Sequence, residues 1–478
     1  MKKIIQAIFL FCALAPAFVF AQEQEQEQAQ VKDDEKVLAL TVDQAVEYAK
    51  ERNRTLKSAQ IDLEMKERAS KYSWNVFLPT VQASLTAARS TDIESSVAQA
   101  NSSTQLANML GNLSSVITGK PYTARPLMVE EEKYHWAIVG NVSASLNLSL
   151  EYIGQIQAAK AGYEGGKITW EQTEKETLMN IKKLFYGLLI QQEALVVQKT
   201  TLENARQRAV QAEANYRNGL IPELRLLNAQ VTYENQRPEV ESSEQSLNQQ
   251  MDTFAFLLGL PIGTKIQLVG SIEPSFVNVT SEELLEKYAQ NSLDIRSLQS
   301  NIDVLKYNLN ALNFSSYTPA LALSYNYQPT KTFFTDDSKW PDQGSFSITL
   351  AWNITNMLPF SANRQKAKDV QDNLAKLELT METLKENKKV QVKKAVDTLN
   401  QARKQIDSMG RNITLAQRAY DSSARSYRNG TTELLDLRDS ESQLNQAKLG
   451  QLNQKFNYIS ALMDLEYALN TDLSSYKE

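Results

Sequence analysis

Two hydrophobic periods take turns along this chain. One repeats every seven residues. It runs through Ile181, Leu188, Leu195, Leu202, Ala209 and Tyr216, and again through Val392, Leu399, Ile406, Ile413, Tyr420 and Tyr427. A seven-residue stripe kept over many turns is a coiled-coil seam, because adjacent helices can wrap while one stripe stays buried. The spacing predicts long helices over 151–217 and 362–428, each followed by a return helix, over 222–258 and 432–470. At about 1.5 Å per residue, each of the first two would extend on the order of 100 Å.

The other period is two. Predicted strands over 79–89, 137–150, 319–328 and 345–355 alternate apolar and polar positions. In the second of them Ile138, Val142, Ala144, Leu146 and Leu148 oppose Val139, Asn141, Ser143, Ser145 and Asn147. In the fourth, Phe346, Ile348, Leu350, Trp352 and Ile354 oppose Ser345, Ser347, Thr349 and Asn353. Alternation over about 10 residues suits a transmembrane barrel strand, with one face to lipid and one to a wet lumen. Tyr134, Trp136, Tyr325, Tyr327 and Trp340 are candidate interfacial aromatics. The segments Ser90 to Lys133 and Lys331 to Gln343 join these strands in pairs and are expected to be outward-facing loops.

The two halves repeat one another. Tyr216-Arg217-Asn218-Gly219 recurs as Tyr427-Arg428-Asn429-Gly430, and each seam position stands at the same distance from its Gly. An amphipathic helix from Thr41 has a counterpart from Ser281, and Pro79 and Pro319 each open a strand. We therefore divide the chain into a first repeat, 38–270, and a second, 271–478. Residues 1–21 read as a secretory signal peptide, with Lys2 and Lys3 before an apolar stretch and Ala21 at the cleavage site. Residues 22–37 form a Gln/Glu-rich disordered spacer.

Composition removes several classes of function. Cys12 is the only cysteine and lies in the signal, without a lipobox before it, so disulfide and thiol chemistry are not expected. The formal net charge is −5 with no basic block, which argues against nucleic acid as a partner. No Walker loop, zinc spacing or nucleophile elbow occurs, so no catalytic residue, metal site or cofactor is expected and the chain is not read as an enzyme. His135, the sole histidine, sits between two aromatics at a strand start and suits an interfacial role. Pro238 has no counterpart in the second half and is expected to kink its helix.

Four strands cannot close a barrel, and open edges in lipid leave backbone groups unsatisfied. Three copies would give twelve strands, an even number within the known range. The expected fold is thus a mixed membrane protein, internally duplicated. The count is compatible with a trimeric 12-stranded transmembrane β-barrel, four strands per chain. A soluble periplasmic coiled-coil adaptor would share the heptads and the export signal. It would have no use for four alternating strands or a duplicated chain.

Several short motifs occur in a telling order: Leu40-Thr41-Val42-Asp43-Gln44-Ala45 with Asn53 and Leu56, Leu78-Pro79, Tyr-x-x-Gly at both helix turns, Leu435-Asp436-Leu437, and the run Leu462 to Asn470. With them the chain, from Leu38 to Thr471, resembles the TolC-like outer-membrane efflux protein family. The resemblance implies a homotrimer in the outer membrane of a Gram-negative bacterium, set in outer-membrane lipid with its helical part in the periplasm. It implies that the β-barrel continues there into a long α-helical coiled-coil barrel. It implies an exit duct for small toxic molecules or secreted polypeptides. Its partners would be a periplasmic adaptor protein and an inner-membrane pump. Adaptor docking would fall on the helix tips, at Arg217, Asn218, Gly219, Leu220, Arg428, Asn429, Gly430 and Thr431. The family's gate carboxylates carry over to Asp436 and Asp439. Arg225 and Arg438 are candidate gate partners, and Thr432 stands where some relatives carry a gate arginine. The first repeat has Arg225 and Asn228 in the places of Asp436 and Asp439.

Overall fold

The computed structural model describes residues 37–129, 131–332, 343–429 and 431–476. The signal peptide, almost all of the spacer, Trp340 and Gly430 lie outside the described residues. The chain divides into two units. One comprises Met1–Ser58, Thr173–Lys287 and Gln391–Glu478, and the other Ala59–Gln172 and Tyr288–Val390.

In chain order the strands are β1 (Leu38–Leu40), β2 (Thr80–Arg89), β3 (Trp136–Leu148), β4 (Ile266–Leu268), β5 (Ala320–Tyr327), β6 (Thr330–Thr332) and β7 (Gly344–Ala351). The helices are α1 (Val42–Arg52), α2 (Arg54–Lys71), α3 (Glu94–Thr118), α4 (Glu151–Arg217), α5 (Glu223–Leu257), α6 (Ser281–Tyr288), α7 (Leu293–Tyr317), α8 (Ala362–Arg428) and α9 (Leu434–Leu469). The division between the units falls within α2, α4 and α8 and at the last residue of α6. The duplication shows in the two longest helices: α4 and α8 each have 67 residues.

In the first unit the seam positions far from the helix turns are core, whereas Tyr216, next to the turn, is 41% exposed. Ile181, Leu188 and Leu195 of α4 pack with Val240, Leu247 and Phe254 of α5. Val392, Leu399 and Ile406 of α8 are buried in the same way. Leu40 and Leu268, from the parallel pair β1–β4, extend the α4–α5 core. Thr41 caps α1 with a reciprocal capping box to Gln44. Asn53 then ends α1 and starts α2: its Oδ1 accepts from the Thr55 and Leu56 amides, and its Nδ2 donates to the Leu257 carbonyl at 2.7 Å. Pro238 lies inside α5, and the helix continues on both sides of it.

Near the end of α9, burial raises the pKa of the Glu466 carboxyl. Asp472 adds to the shift, while the Leu473 amide and Lys182 oppose it. A carboxyl whose folded pKa is raised stabilises the fold most when protonated, and that contribution is lost as pH rises from the ordinary value through the raised one. Glu466→Gln keeps an acceptor for the Leu473 amide, which now bonds Oε1 at 3.0 Å. The variant should melt higher than the parent at neutral pH, and the gain should vanish below the ordinary carboxylate range. An equal gain at both pH values would show that charge burial is not the cause.

The second unit holds the sheet. Its order is β2-β3-β5-β7, every neighbour antiparallel, with β6 also pairing β3. The register keeps the two faces chemically apart across all four strands. One face carries the pairs Ala83↔Val142, Leu146↔Leu323, Tyr325↔Phe346 and Leu323↔Ile348. The other carries Gln82↔Ser143, Ser84↔Asn141, Ser145↔Ser324 and Ser324↔Ser347. The Ser324 and Ser347 hydroxyls hydrogen-bond at 2.6 Å. β7 ends at Ala351, opposite Ala320, the first residue of β5. Trp352 and Ile354 thus lie beyond the strand.

Below the sheet, Ile302 of α7 packs with Leu374 and Met381 of α8. Buried Lys388 is neutralised by Asp294 at 2.5 Å, and Asp294 also accepts from Gln172 at 2.9 Å. The segment expected as a loop from Ser90 to Lys133 instead contains the 25-residue helix α3. Its Ser and Asn content masked a helical spacing of Leu106, Leu110, Leu113 and Ile117. Among the described residues no helix is long and apolar enough to cross a membrane.

Candidate functional site: the helix turns and the start of α9

The α4–α5 turn is built by one glycine. Gly219 has φ +69°, the left-handed conformation that costs an L side chain about 1–2 kcal/mol. The Leu220 amide donates to the Asn215 carbonyl and the Gly219 amide to the Tyr216 carbonyl, both at 2.9 Å. This is the Schellman pattern, which satisfies carbonyls that the helix end would otherwise orphan. The α8–α9 turn repeats its outer bond, from the Thr431 amide to the Ser426 carbonyl at 3.0 Å. Gly430 itself lies outside the described residues.

Around these turns Arg217, Asn218, Leu220, Arg428, Asn429 and Thr431 are all exposed. Arg217 pairs with Glu213 one turn back, and Arg428 donates to the Ala424 carbonyl at 3.3 Å. Leu224, Leu227 and Val231 form an exposed apolar stripe at helical spacing on α5, and Leu220, in the turn before it, is 70% exposed. A stripe of this kind is free to pack on something outside the chain.

Asp436 and Asp439 follow on α9. Leu437, Ser440, Glu441, Leu444 and Ala447 make the buried face of this helix. The two carboxylates, three residues apart, share the exposed side. Asp436 lies in the first turn, where the helix dipole favours an anion. Glu433 precedes it as the N-cap residue, without a side-chain capping bond. Among the described residues, neither carboxylate has an ion pair or hydrogen bond from a side chain of its own chain. Arg225, in the first turn of α5, and Arg438 are both exposed and join neither Asp within the chain. Thr432 is half-buried. The structure thus groups Asp436, Asp439 and Arg438 on one short stretch beside the turn, without an ion pair among the described residues of the chain.

One polar cluster escaped the sequence analysis. Glu441, two residues past Asp439, is buried, and its carboxylate accepts from Arg208 of α4 at 3.1 Å and from Asn204 Nδ2 at 2.7 Å. One turn further on, Asn445 donates to the Thr201 hydroxyl at 3.2 Å. Glu441 falls between Leu437 and Leu444 on the buried face, and an acidic residue in that register was the available signal. His135, at 9% exposure, places Nδ1 2.7 Å from the Ser90 carbonyl and ties the ends of β2 and β3. No group of His, Cys, Asp and Glu side chains among the described residues is arranged to hold a metal ion.

A family model described as outer membrane efflux protein matches residues 45–260 and 284–471. No curated protein matches the sequence significantly. Among solved structures, the chain is similar to the Campylobacter jejuni CmeC outer membrane channel, with 15% identity, a TM-score of 0.69, and 91% of this chain and 88% of that chain covered. It is similar to the open state of the Neisseria gonorrhoeae MtrE outer membrane channel, with 18% identity, a TM-score of 0.62, and coverage of 90% and 89%. The outer membrane protein VceC from Vibrio cholerae gives 13% identity, a TM-score of 0.65, and coverage of 91% and 97%.

Proposed function

Because the chain belongs to the outer membrane efflux protein family, we propose that three copies join edge to edge into one exit duct, gated by the carboxylates at the start of α9. As a family member it is a non-enzymatic outer-membrane channel protein, with its helical part in the periplasm. That placement sets aside a soluble adaptor.

The observation that carries the trimer is the open sheet. β2 and β7 are its edge strands, both exposed along their whole length. An even number of strands makes β7 of one copy antiparallel to β2 of the next, so copies can join without reversing the pattern. Closure is required because lipid cannot satisfy edge N–H and C=O groups. Three copies of the four-stranded path give twelve strands. The apolar face, with Leu85, Val142, Ile348 and Leu350, then meets outer-membrane lipid, and the Ser/Asn face lines a wet lumen. The exposed stripe Leu224, Leu227 and Val231, with Leu220 exposed in the turn before it, supports packing between copies near the helix turns.

On this reading Arg217, Asn218, Gly219 and Leu220, with Arg428, Asn429, Gly430 and Thr431, form the tip that a periplasmic adaptor engages. An inner-membrane pump delivers cargo through that adaptor, either small toxic molecules or polypeptides. Asp436 and Asp439 from three copies place six carboxylates around the duct entrance. Arg225, Arg438 and Thr432 are the side chains that can meet them across copies.

The trimer and the orientation of the faces are tested together. Protein extracted from outer membranes should have the mass of three chains in mild detergent. Leu85→Lys, on the lipid face, should abolish insertion, at a cost of about 2–4 kcal/mol near the midplane. Ser84→Lys, on the lumen face of the same strand, should insert normally. A monomer in detergent, or the reverse sensitivity of the two positions, would overturn the arrangement.

A further inference from the structure

The helix α3 has two unlike sides. One is covered by the chain's own return segment, 119–129. Asn101 donates to the Met128 carbonyl at 2.9 Å and accepts from its amide at 2.7 Å. Asn108 makes the same pair of bonds to Arg125, both at 2.8 Å. The Tyr122 ring lies so close to Gly111 that a Cβ there would stand 2.3 Å from it. Glycine is thus what lets the return segment lie flat on the helix.

The other side is bare. Leu106, Leu110, Leu113 and Ile117, with Met109 and Val116 beside them, are 57–83% exposed. At 3.6 residues per turn this stripe stands opposite Asn101, Asn108 and Gly111. Glu94, at the first position, is the only charged residue in the helix. A contiguous apolar stripe left in water calls for a cover, and the polar side is already taken.

The position of α3 says which cover. It starts five residues after Arg89, the last residue of β2. Arg89 pairs in register with Trp136 on the face that carries Leu85 and Ile138, the face that meets lipid. Trp136 is partly exposed, and Arg89 is bound to Glu132 at 2.8 Å. An aromatic and a charged pair at the end of an apolar strand face mark the level where acyl chains give way to headgroups. The long helices leave from the opposite strand ends, so this is the outer side. The bare stripe therefore emerges beside the membrane surface, carries no charge, and faces away from its own strap.

We propose that α3 is an interfacial helix that lies on the outer leaflet, with Leu106, Leu110, Leu113 and Ile117 among the acyl chains and the strap toward water. The proposal rests on the lipid assignment of the sheet's apolar face. A helix whose exposed stripe bears no charge binds such an interface through its apolar area, at a depth of about 5–10 Å.

The test uses nitroxide labels on the full-length protein in phosphatidylcholine/phosphatidylglycerol vesicles. Leu113→Cys probes the stripe, Asn112→Cys the side nearer the strap, and Ile348→Cys the barrel's lipid face. Collisions with oxygen, which concentrates in lipid, are compared with those of a water-soluble nickel chelate. The proposal expects oxygen to dominate at 113 and 348 and nickel at 112. Nickel dominating at 113 while oxygen dominates at 348 overturns the interfacial helix and leaves the barrel standing. Nickel dominating at both overturns the lipid assignment beneath it. Strong spin–spin broadening at 113 would show that the stripes of neighbouring copies pack together, which also overturns it.

Discussion

Asp436→Asn combined with Asp439→Asn is expected to free the channel from block by a trivalent cation applied on the periplasmic side, and to weaken its preference for cations. Both carboxylates are exposed, share one side of α9, and lack a partner from a side chain of their own chain among the described residues. In the proposed trimer six of them surround the duct entrance. At 4 Å in water a single pair of unit charges is worth about 1 kcal/mol. A trivalent ion facing several carboxylates therefore gains several kcal/mol, and block should weaken by roughly a hundredfold or more when they are neutralised. The substitutions remove charge at nearly constant shape, so a closed-state conductance that survives unchanged would keep the duct and discard the gate. Arg225→Ala is the companion variant. If Arg225 meets these carboxylates across copies, its removal should strengthen block, because the ring loses a competing cation.

The helical part was legible because a buried seam must recur at fixed spacing. Ile181, Leu188 and Leu195 can stay on one side of α4 only at that interval, and all three are buried. The strands were legible for a related reason. Period two survives when each face meets one medium, as at Val142↔Tyr327 against Ser143↔Asn326. What sequence hid follows from the same logic. In α3 the apolar stripe covers only the second half of the helix, among Ser and Asn residues that favour loops, so composition outweighed spacing. Arg208 and Asn204 sit far from Glu441 in sequence, and nothing local relates them. At the candidate gate, the residue types and the turn chemistry could be read from the chain. Pairing across copies could not, because it depends on surfaces that one chain does not bring together.

The second large effect concerns Arg208. Its guanidinium and the Glu441 carboxylate are both largely removed from water, with side-chain exposures of 15% and 7%. Arg208→Ala leaves Glu441 with Asn204 alone against the cost of a buried charge. Removing one partner of a buried pair typically costs about 3–5 kcal/mol, so chemical unfolding should shift by that amount. Replacing both, as Arg208→Met with Glu441→Leu, removes the charges together with their desolvation cost and should recover most of the loss. Glu441 lies on the same two turns of α9 as Asp436 and Asp439, so this bond fixes the carboxylate-bearing end of α9 to α4. Arg208→Ala should therefore raise the frequency of brief openings in single-channel records, and the double replacement, which restores packing without the ionic tie, should open as often as Arg208→Ala while unfolding like the parent. Should openings instead follow stability across all three proteins, Arg208 and Glu441 would serve the fold alone, and the start of α9 would be held by its apolar face at Leu437, Leu444 and Ala447.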